Sequence, residues 1–208
     1  MKSKIPRFIF VHIMKTAGTT LSEELNRIYK NEYFLDTTYK ADRAIEGLFK
    51  FQRSDSTYPK NKRYLKSSVL HGHFTVNKYK HLGWPMITFL RDPIERVISN
   101  YSSNVVNAVI RGGESVPFDE FCKRTSNTMT YMTDGDLNNF LFVGIVEHYA
   151  ESLKRLGDLL GHKLNPNSRL NKTNKKVKMG KKQIKIIRSY NKNDIELYKK
   201  GLKIFNKN

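Results

Sequence analysis

Three short segments of the sequence carry side chains that can bind an anion or move a proton. Residues 15–20, Lys-Thr-Ala-Gly-Thr-Thr, combine one cation, one glycine and three hydroxyl groups directly after an apolar run. Arg91 follows a second apolar run, and Ser99 comes eight residues later. His71 and His73 are separated by one glycine. Cations and hydroxyl groups bind phosphate-like oxygens, and imidazole accepts protons near neutral pH. The sequence therefore predicts an anion site with a neighbouring base.

The segment of residues 15–20 lies where α/β proteins place phosphate sites, between a predicted strand and a predicted helix. A helix N-terminus offers unpaired backbone N–H groups and a partial positive charge. Gly18 lets the backbone approach an anion, Thr19 and Thr20 add hydroxyl donors, and Lys15 adds a full charge. The segment departs from the Walker pattern, because its lysine precedes the glycine. An anion-binding loop is favoured over an ordinary strand–helix turn.

The two histidines lie at the end of another predicted strand. Side chains two residues apart on a strand point to the same side, so His71 and His73 can both face the site. An imidazole with a pKa near ~6.5 suits the abstraction of a hydroxyl proton at neutral pH. The alternative for either histidine is a hydrogen bond within a loop. His12, on the strand that precedes the anion loop, is interpreted as a packing residue.

Apolar runs and capping residues predict the elements that position these groups. Asp92 and Pro93 suit the N-cap and the first position of a helix. Buried strands are predicted at 7–14, 67–71, 86–90 and 140–146, and helices at 21–30, 41–51, 92–110, 118–124 and 147–160, with an exposed loop at 52–66. Alternating strands and helices predict a three-layer α/β/α fold with a mostly parallel central sheet.

Composition limits the class of protein. The 208 residues carry a formal net charge of +19, which attracts anions of many kinds. Cys122 is the single cysteine, so no intramolecular disulfide can form. No apolar stretch reaches membrane-spanning length, and a cytoplasmic protein is expected. We predict one domain, residues 1–208, whose lysine-rich part, residues 172–208, is a helical C-terminal extension.

Four stretches of the chain resemble the carbohydrate sulfotransferases. Residues 8–21 resemble the family's loop for the 5′-phosphosulfate, and residues 87–99 resemble its R-D-P element. Residues 142–148 (Phe-Val-Gly-Ile-Val-Glu-His) resemble a late strand, and residues 170–173 (Leu-Asn-Lys-Thr) resemble the loop that closes over the nucleotide. The His-Gly-His segment resembles that of the uronosyl 2-O-sulfotransferase branch, which includes the heparan sulfate enzymes.

The resemblance implies a fold like that of the P-loop NTPases and the transfer of a sulfuryl group from 3′-phosphoadenosine 5′-phosphosulfate (PAPS) to a carbohydrate or glycoconjugate hydroxyl. The product would be adenosine 3′,5′-bisphosphate (PAP). The resemblance assigns the role of base to His73, with His71 as an alternative base or substrate contact. It implies that Lys15 neutralises the negative charge that develops on the bridging oxygen. No Walker-B-like aspartate follows a strand, so no metal is implied. The implied cofactor-binding residues are Lys15, Thr16, Ala17, Gly18, Thr19, Thr20, Arg91, Ser99, Lys172 and Thr173.

Two other functions remain as alternatives. A degenerate P-loop kinase would need a Walker lysine after the glycine and a magnesium-binding acid, and the sequence shows neither. A basic nucleic-acid-binding protein without catalysis would explain the lysines after residue 172 but not the two anion-binding segments, so no nucleic-acid partner is expected. The positive charge also suits an anionic acceptor, although a merely solvated lysine-rich surface explains it equally well. Asp134-Gly135-Asp136 is interpreted as a turn and not as a calcium loop.

Overall fold

A five-stranded, entirely parallel sheet forms the centre of the protein. The computed structural model describes residues 7–38, 58–60, 62–110, 113–165 and 177–207. The strand order in the sheet is β2-β3-β1-β4-β5. The strands of the described part are β1 (Phe8–Val11), β2 (Tyr33–Asp36), β3 (Val69–Gly72), β4 (Met86–Leu90) and β5 (Phe142–Ile145).

Helices connect the strands and cover both faces of the sheet. In the described ranges they are α1 (Gly18–Tyr29), α2 (Val76–Tyr79), α3 (Pro93–Ile110), α4 (Phe118–Arg124), α5 (Thr128–Thr133), α6 (Tyr149–Leu160), α7 (Lys181–Tyr190) and α8 (Lys192–Lys207). None of these helices is both long enough and apolar enough to span a membrane.

Alternation along β1 divides the core into two layers. Phe8 and Phe10 pack with α1 and α6 on one face of the sheet. Ile9 and Val11 pack with α2, α5 and α8 on the other face. All four side chains are fully buried, as expected for a parallel sheet with helices on both sides. The predicted three-layer α/β/α architecture is confirmed.

A third apolar cluster joins α3, α4 and α7. It contains Val97, Phe121 and Ile187, together with Cys122, which is buried as a small apolar side chain. The described part of the lysine-rich segment forms α7 and α8, and α8 packs on the sheet through Leu197. The apolar faces of these two helices therefore belong to the core, whereas their lysines face solvent.

The local predictions were accurate where capping residues marked the ends of elements. The strand predicted at 86–90 is β4, and α3 begins at Pro93 as expected. The carboxylate of Asp92 caps this helix by accepting a hydrogen bond from the backbone N–H of Glu95, at 3.0 Å. The helix predicted at 41–51 lies outside the described residues.

Three of the strands and α-helices in the described part were not predicted. One is α2, a single turn of four residues that is too short to show helical spacing. β2 is an edge strand whose Leu35 is 47% exposed, so it lacks the apolar run that marked the other strands. α5 is short and is flanked by Asn127 and Asp134, both in the left-handed region of backbone conformation. Its first turn is capped from α8, because the carboxylate of Asp194 accepts hydrogen bonds from the backbone N–H groups of Met129 and Thr130. A cap from so distant a residue leaves no local signal.

Candidate functional site

All predicted site residues that the structure describes lie at one edge of the sheet, where the parallel strands end. Val11 of β1 pairs with Gly72 of β3 on one side and with Thr88 of β4 on the other. The connection after β1 runs toward β2, and the connection after β4 runs toward β5 on the opposite side. Open α/β sheets bind ligands at such a switch point, beyond the carboxyl ends of the strands. The loops that begin with His12 and Arg91 flank this point.

The loop between β1 and α1 has an unusual backbone. Lys15 and Ala17 both adopt positive φ angles, 65° and 60°, which cost about 1 to 3 kcal/mol each for residues with a side chain. The Thr16 hydroxyl is buried and donates to the carbonyl of Ile13 at 2.7 Å, which closes the turn. No side chain caps the N-terminus of α1. The loop thus presents the first backbone N–H groups of α1 at the edge of the sheet.

Gly18 is required by a close contact inside the protein. A Cβ atom at this position would lie 2.2 Å from Cδ2 and Nε2 of the His12 ring. Any other residue would therefore displace either this ring or the loop. The sequence suggested that Gly18 gives an anion access to the backbone, and the structure adds that Gly18 makes room for the imidazole beneath the loop.

The two predicted anion-binding segments are in direct contact. Nη1 of Arg91 donates to the backbone carbonyl of Lys15 at 3.1 Å. Nζ of Lys15 donates to Oγ of Ser103 at 2.7 Å, and Ser103 in turn donates to the carbonyl of Ser99 at 3.1 Å. Lys15, Arg91, Ser99 and Ser103 therefore surround one site between the β1 loop and α3.

The electrostatics of this site favour a bound anion. Burial, followed by repulsion from Arg91, lowers the pKa of Lys15 from its ordinary value of 10.5. Glu95 of α3 lies 3.6 Å from the Arg91 guanidinium, and its side chain is 43% exposed. Two cations held together in a partly buried place are stabilised when negative charge enters between them. The arrangement is suited to phosphate or sulfate oxygens.

His73 lies just beyond β3 with one ring nitrogen fixed. Its Nδ1 is 2.7 Å from the backbone carbonyl of His12, and only an N–H can make this bond. In the neutral ring Nε2 then carries the lone pair. Burial lowers the pKa of His73, and the bond to the His12 carbonyl partly opposes this shift. A neutral ring of defined tautomer is the form that can accept a proton.

His71 has a different environment. Its Nδ1 lies 2.5 Å from the Tyr33 hydroxyl, its Nε2 lies 3.0 Å from Nδ1 of His12, and its ring stacks on Phe10. Burial, with His73 as a smaller contribution, lowers the pKa of His71 to about 3. Both nitrogens of His71 are thus engaged inside the core. This geometry favours His73 over His71 as the base and makes His71 a support for the His12 ring.

These buried histidines predict a loss of stability in mild acid. Burial holds the pKa values of His12, His71 and His73 below the ordinary value of 6.5. Below about pH 6.5 the unfolded chain therefore binds protons that the folded chain does not, and the free energy of unfolding falls by up to about 1.4 kcal/mol per pH unit for each histidine. Urea unfolding at pH 7.5, 6.5 and 5.5 measures this slope, which should be shallower in His71→Asn. Equal stability at all three pH values would contradict it.

Thr19, Thr20, Lys172 and Thr173 are the remaining predicted cofactor-binding residues. Thr19 is exposed in the first turn of α1, whereas Thr20 is buried. Lys172 and Thr173 lie outside the described residues. The chain is described again from Val177, whose N–H donates at 3.0 Å to Oγ of Ser102, the neighbour of Ser103.

Sequence reasoning missed several residues that shape the site. Ser103 could have been found, because it follows Ser99 by four residues and so shares its helix face. The late Val-Gly-Ile-Val-Glu segment supplies Glu147, whose carboxylate accepts from the backbone N–H of Asp92 at 3.1 Å and from the Tyr198 hydroxyl at 2.8 Å. Glu147 thereby fixes the turn that follows Arg91. Tyr33 gave no signal, because its strand was not predicted.

Comparisons with known proteins identify the family and the fold of this chain. The family described as "Sulfotransferase family" matches residues 3–201. The structure is similar to that of a sulfotransferase from Alicyclobacillus acidocaldarius, with a TM-score of 0.51 and 11% identity over 92% of this chain and 93% of that chain, which shows the fold. A mouse sulfotransferase complexed with PAP aligns with a TM-score of 0.46 and 16% identity over 94% of this chain and 68% of that chain. A retinol dehydratase in a complex with retinol and PAP aligns with a TM-score of 0.34 and 18% identity over 79% of this chain and 62% of that chain. No curated protein matches the sequence.

Proposed function

Because this chain belongs to the sulfotransferase family, we propose that it transfers a sulfuryl group from PAPS to a hydroxyl of a carbohydrate or glycoconjugate and releases PAP. The family establishes the class of enzyme, and the donor and acceptor are our inference. The observation that carries the proposal is the contact between the two anion-binding segments, in which Arg91 donates to the carbonyl of Lys15. A nucleotide with phosphates at both ends of its ribose can bridge such a pair of sites.

The 5′-phosphosulfate binds the loop before α1 in this proposal. The backbone N–H groups of Gly18, Thr19 and Thr20 face it, with the helix dipole behind them. The Thr19 and Thr20 hydroxyls donate to its oxygens. Thr16 and Ala17 act through the backbone, because the Thr16 hydroxyl is bonded to Ile13. Their role is to maintain the backbone conformation of the turn.

The 3′-phosphate binds between the guanidinium of Arg91 and the helix face of Ser99 and Ser103. An arginine fork matches two phosphate oxygens and forms charge-assisted hydrogen bonds with them. Lys172 and Thr173 are proposed to close over the nucleotide. The described chain resumes at Val177, whose backbone N–H donates to the Ser102 hydroxyl of α3.

His73 is the proposed general base. Its Nε2 accepts the proton of the acceptor hydroxyl while the oxygen attacks sulfur in line with the leaving 5′-phosphate oxygen. The new O–S bond forms as the bond between sulfur and the leaving oxygen breaks. Lys15 stabilises the negative charge that remains on the leaving oxygen. His12 and His71 hold the loop and the His73 ring in register through the bonds described above.

Nucleotide binding tests the proposed donor. We expect PAP to raise the thermal unfolding midpoint of the protein, with a stabilisation of about 2.7 kcal/mol when its concentration is 100 times Kd. Adenosine 5′-monophosphate is the matched control, because it lacks only the 3′-phosphate, and it should stabilise the protein less. ATP tests the kinase alternative. Equal stabilisation by ATP and PAP, or none by PAP, would contradict the proposal.

A further inference from the structure

An open cavity lies next to the His-Gly-His segment and contains none of the proposed donor-binding residues. Its volume is about 320 Å³, which is within the usual range for small-molecule sites. It lies between α2 with its preceding turn and α5 with its following turn, and its lining residues are Thr75, Asn77, Thr130, Tyr131, Asp134 and Gly135. Thr75 follows His73 by two residues, a span of at most about 7 Å. One wall of the cavity therefore directly follows, in the chain, the segment that carries the proposed base.

We infer that this cavity is the acceptor subsite and that it takes an uncharged, polyhydroxylated unit, such as a neutral sugar residue. The inference rests on the proposed function, since it identifies the molecule whose hydroxyl His73 would deprotonate. It also departs from the expectation of an anionic acceptor that the net charge of the whole chain suggested.

The chemistry of the lining supports a neutral polar ligand. Within the described residues, the side chains of Asn77 and Asp134 have no hydrogen-bond or ion-pair partner. A carboxylate and an amide can bind several hydroxyl groups of one ligand. The Tyr131 side chain, 43% exposed, supplies an aromatic surface with a polar end. The six residues combine the few polar groups and the aromatic surface that a sugar ring needs.

Charge sets the specificity of the cavity. Asp134 is the one charged residue among the six that line it. A uronate or sulfate group placed there would meet a like charge, which disfavours the wrong ligand. The exposed cations Lys181, Lys182, Lys185 and Arg188 lie on α7, which contributes no residue to the lining. The positive surface and the acceptor subsite are therefore separate features.

Two buried ion pairs hold the walls of the cavity. On the α5 side, Asp194 binds the N–H groups at the start of the helix and lies 3.6 Å from the fully buried guanidinium of Arg96 on α3. On the α2 side, Nζ of Lys78 lies 2.7 Å from the carboxylate of Asp36, and both side chains are buried. Removal of one partner of such a pair leaves an unpaired buried charge, so both walls are held in place. A rigid wall is what a binding site needs.

The test compares Asp134→Asn with Asp158→Asn. Asparagine keeps the shape of the side chain and tolerates the left-handed backbone of residue 134, whose φ is 56°. Asp158 is exposed on α6, on the other face of the sheet, so its substitution makes the same change of charge at a distant place. Neutral p-nitrophenyl hexosides and the matching hexuronides serve as acceptors, with radiolabelled PAPS as donor. Saturation-transfer NMR on the PAP-loaded protein measures their binding without catalysis.

We expect wild type and Asp158→Asn to prefer neutral hexosides over hexuronides. In Asp134→Asn, binding of the neutral hexosides should weaken about tenfold, because hydrogen bonds to a charged acceptor are lost, and the preference over hexuronides should shrink. An unchanged preference in Asp134→Asn, or the failure of every neutral hexoside to bind the PAP-loaded wild type, would overturn the inference. PAP affinity is measured on the same samples. Its absence would refute the proposed function, whereas normal PAP binding with an unchanged preference would refute the acceptor subsite alone.

Discussion

Replacement of His73 by asparagine is expected to slow sulfuryl transfer by at least about 100-fold and to leave PAP binding intact. The amide nitrogen of asparagine can take the place of Nδ1 and donate to the His12 carbonyl, which His73 binds at 2.7 Å. The amide has no basic nitrogen to replace Nε2. General base catalysis contributes about 100- to 10,000-fold to a rate, so the transfer rate should fall by that amount. The measurement is the transfer of radiolabelled sulfur from PAPS, with PAP affinity determined by calorimetry.

The same substitution at His81 is the matched control, because His81 is exposed on the turn before β4. His81→Asn should retain the wild-type transfer rate. A His73→Asn enzyme that transfers sulfur at the wild-type rate would remove His73 from the mechanism. Loss of PAP binding in His73→Asn would instead show that the His73 ring supports the donor site, which is the role proposed for His12 and His71.

Replacement of Arg91 by alanine is expected to weaken PAP binding by about 100-fold or more. A bidentate guanidinium forms two charge-assisted hydrogen bonds with a phosphate, each of which contributes about 1.5 to 3 kcal/mol. Isothermal titration calorimetry with PAP measures the loss. Arg188→Ala is the control, because Arg188 is exposed on α7 and contacts neither loop of the site.

Adenosine 5′-monophosphate distinguishes two roles of Arg91. Arg91 also donates to the carbonyl of Lys15, so the alternative role is to hold the loop before α1. If Arg91 binds the 3′-phosphate, PAP should lose much more affinity than the monophosphate. Equal losses for the two nucleotides would contradict the assignment and give Arg91 a role in holding the loop.

Elements with strong local signals could be predicted from the amino-acid sequence. An uninterrupted apolar run predicted β4, and Asp92 predicted the start of α3. Both predictions were accurate because strand burial and helix capping depend on residues close together in the chain. The segment from Lys15 to Thr20 and the Arg-Asp-Pro segment predicted anion binding for the same reason, and their resemblance to the sulfotransferases implied the class of enzyme. Each segment joins the end of a strand to the start of a helix, and its anion-binding groups lie within a few residues of one another.

Tertiary structure decided which residues meet. Lys15 reaches Ser103 across 88 positions of the chain, and His71 reaches His12 across 59. Such pairs depend on the order of strands in the sheet, which local patterns do not encode. The bonding of both His71 nitrogens follows from the same pairing, because it depends on side chains that only the folded core brings together. The cavity beside Asp134 exists only because two distant segments, α2 and α5, pack into one apolar cluster, and packing between layers is settled when the whole chain folds.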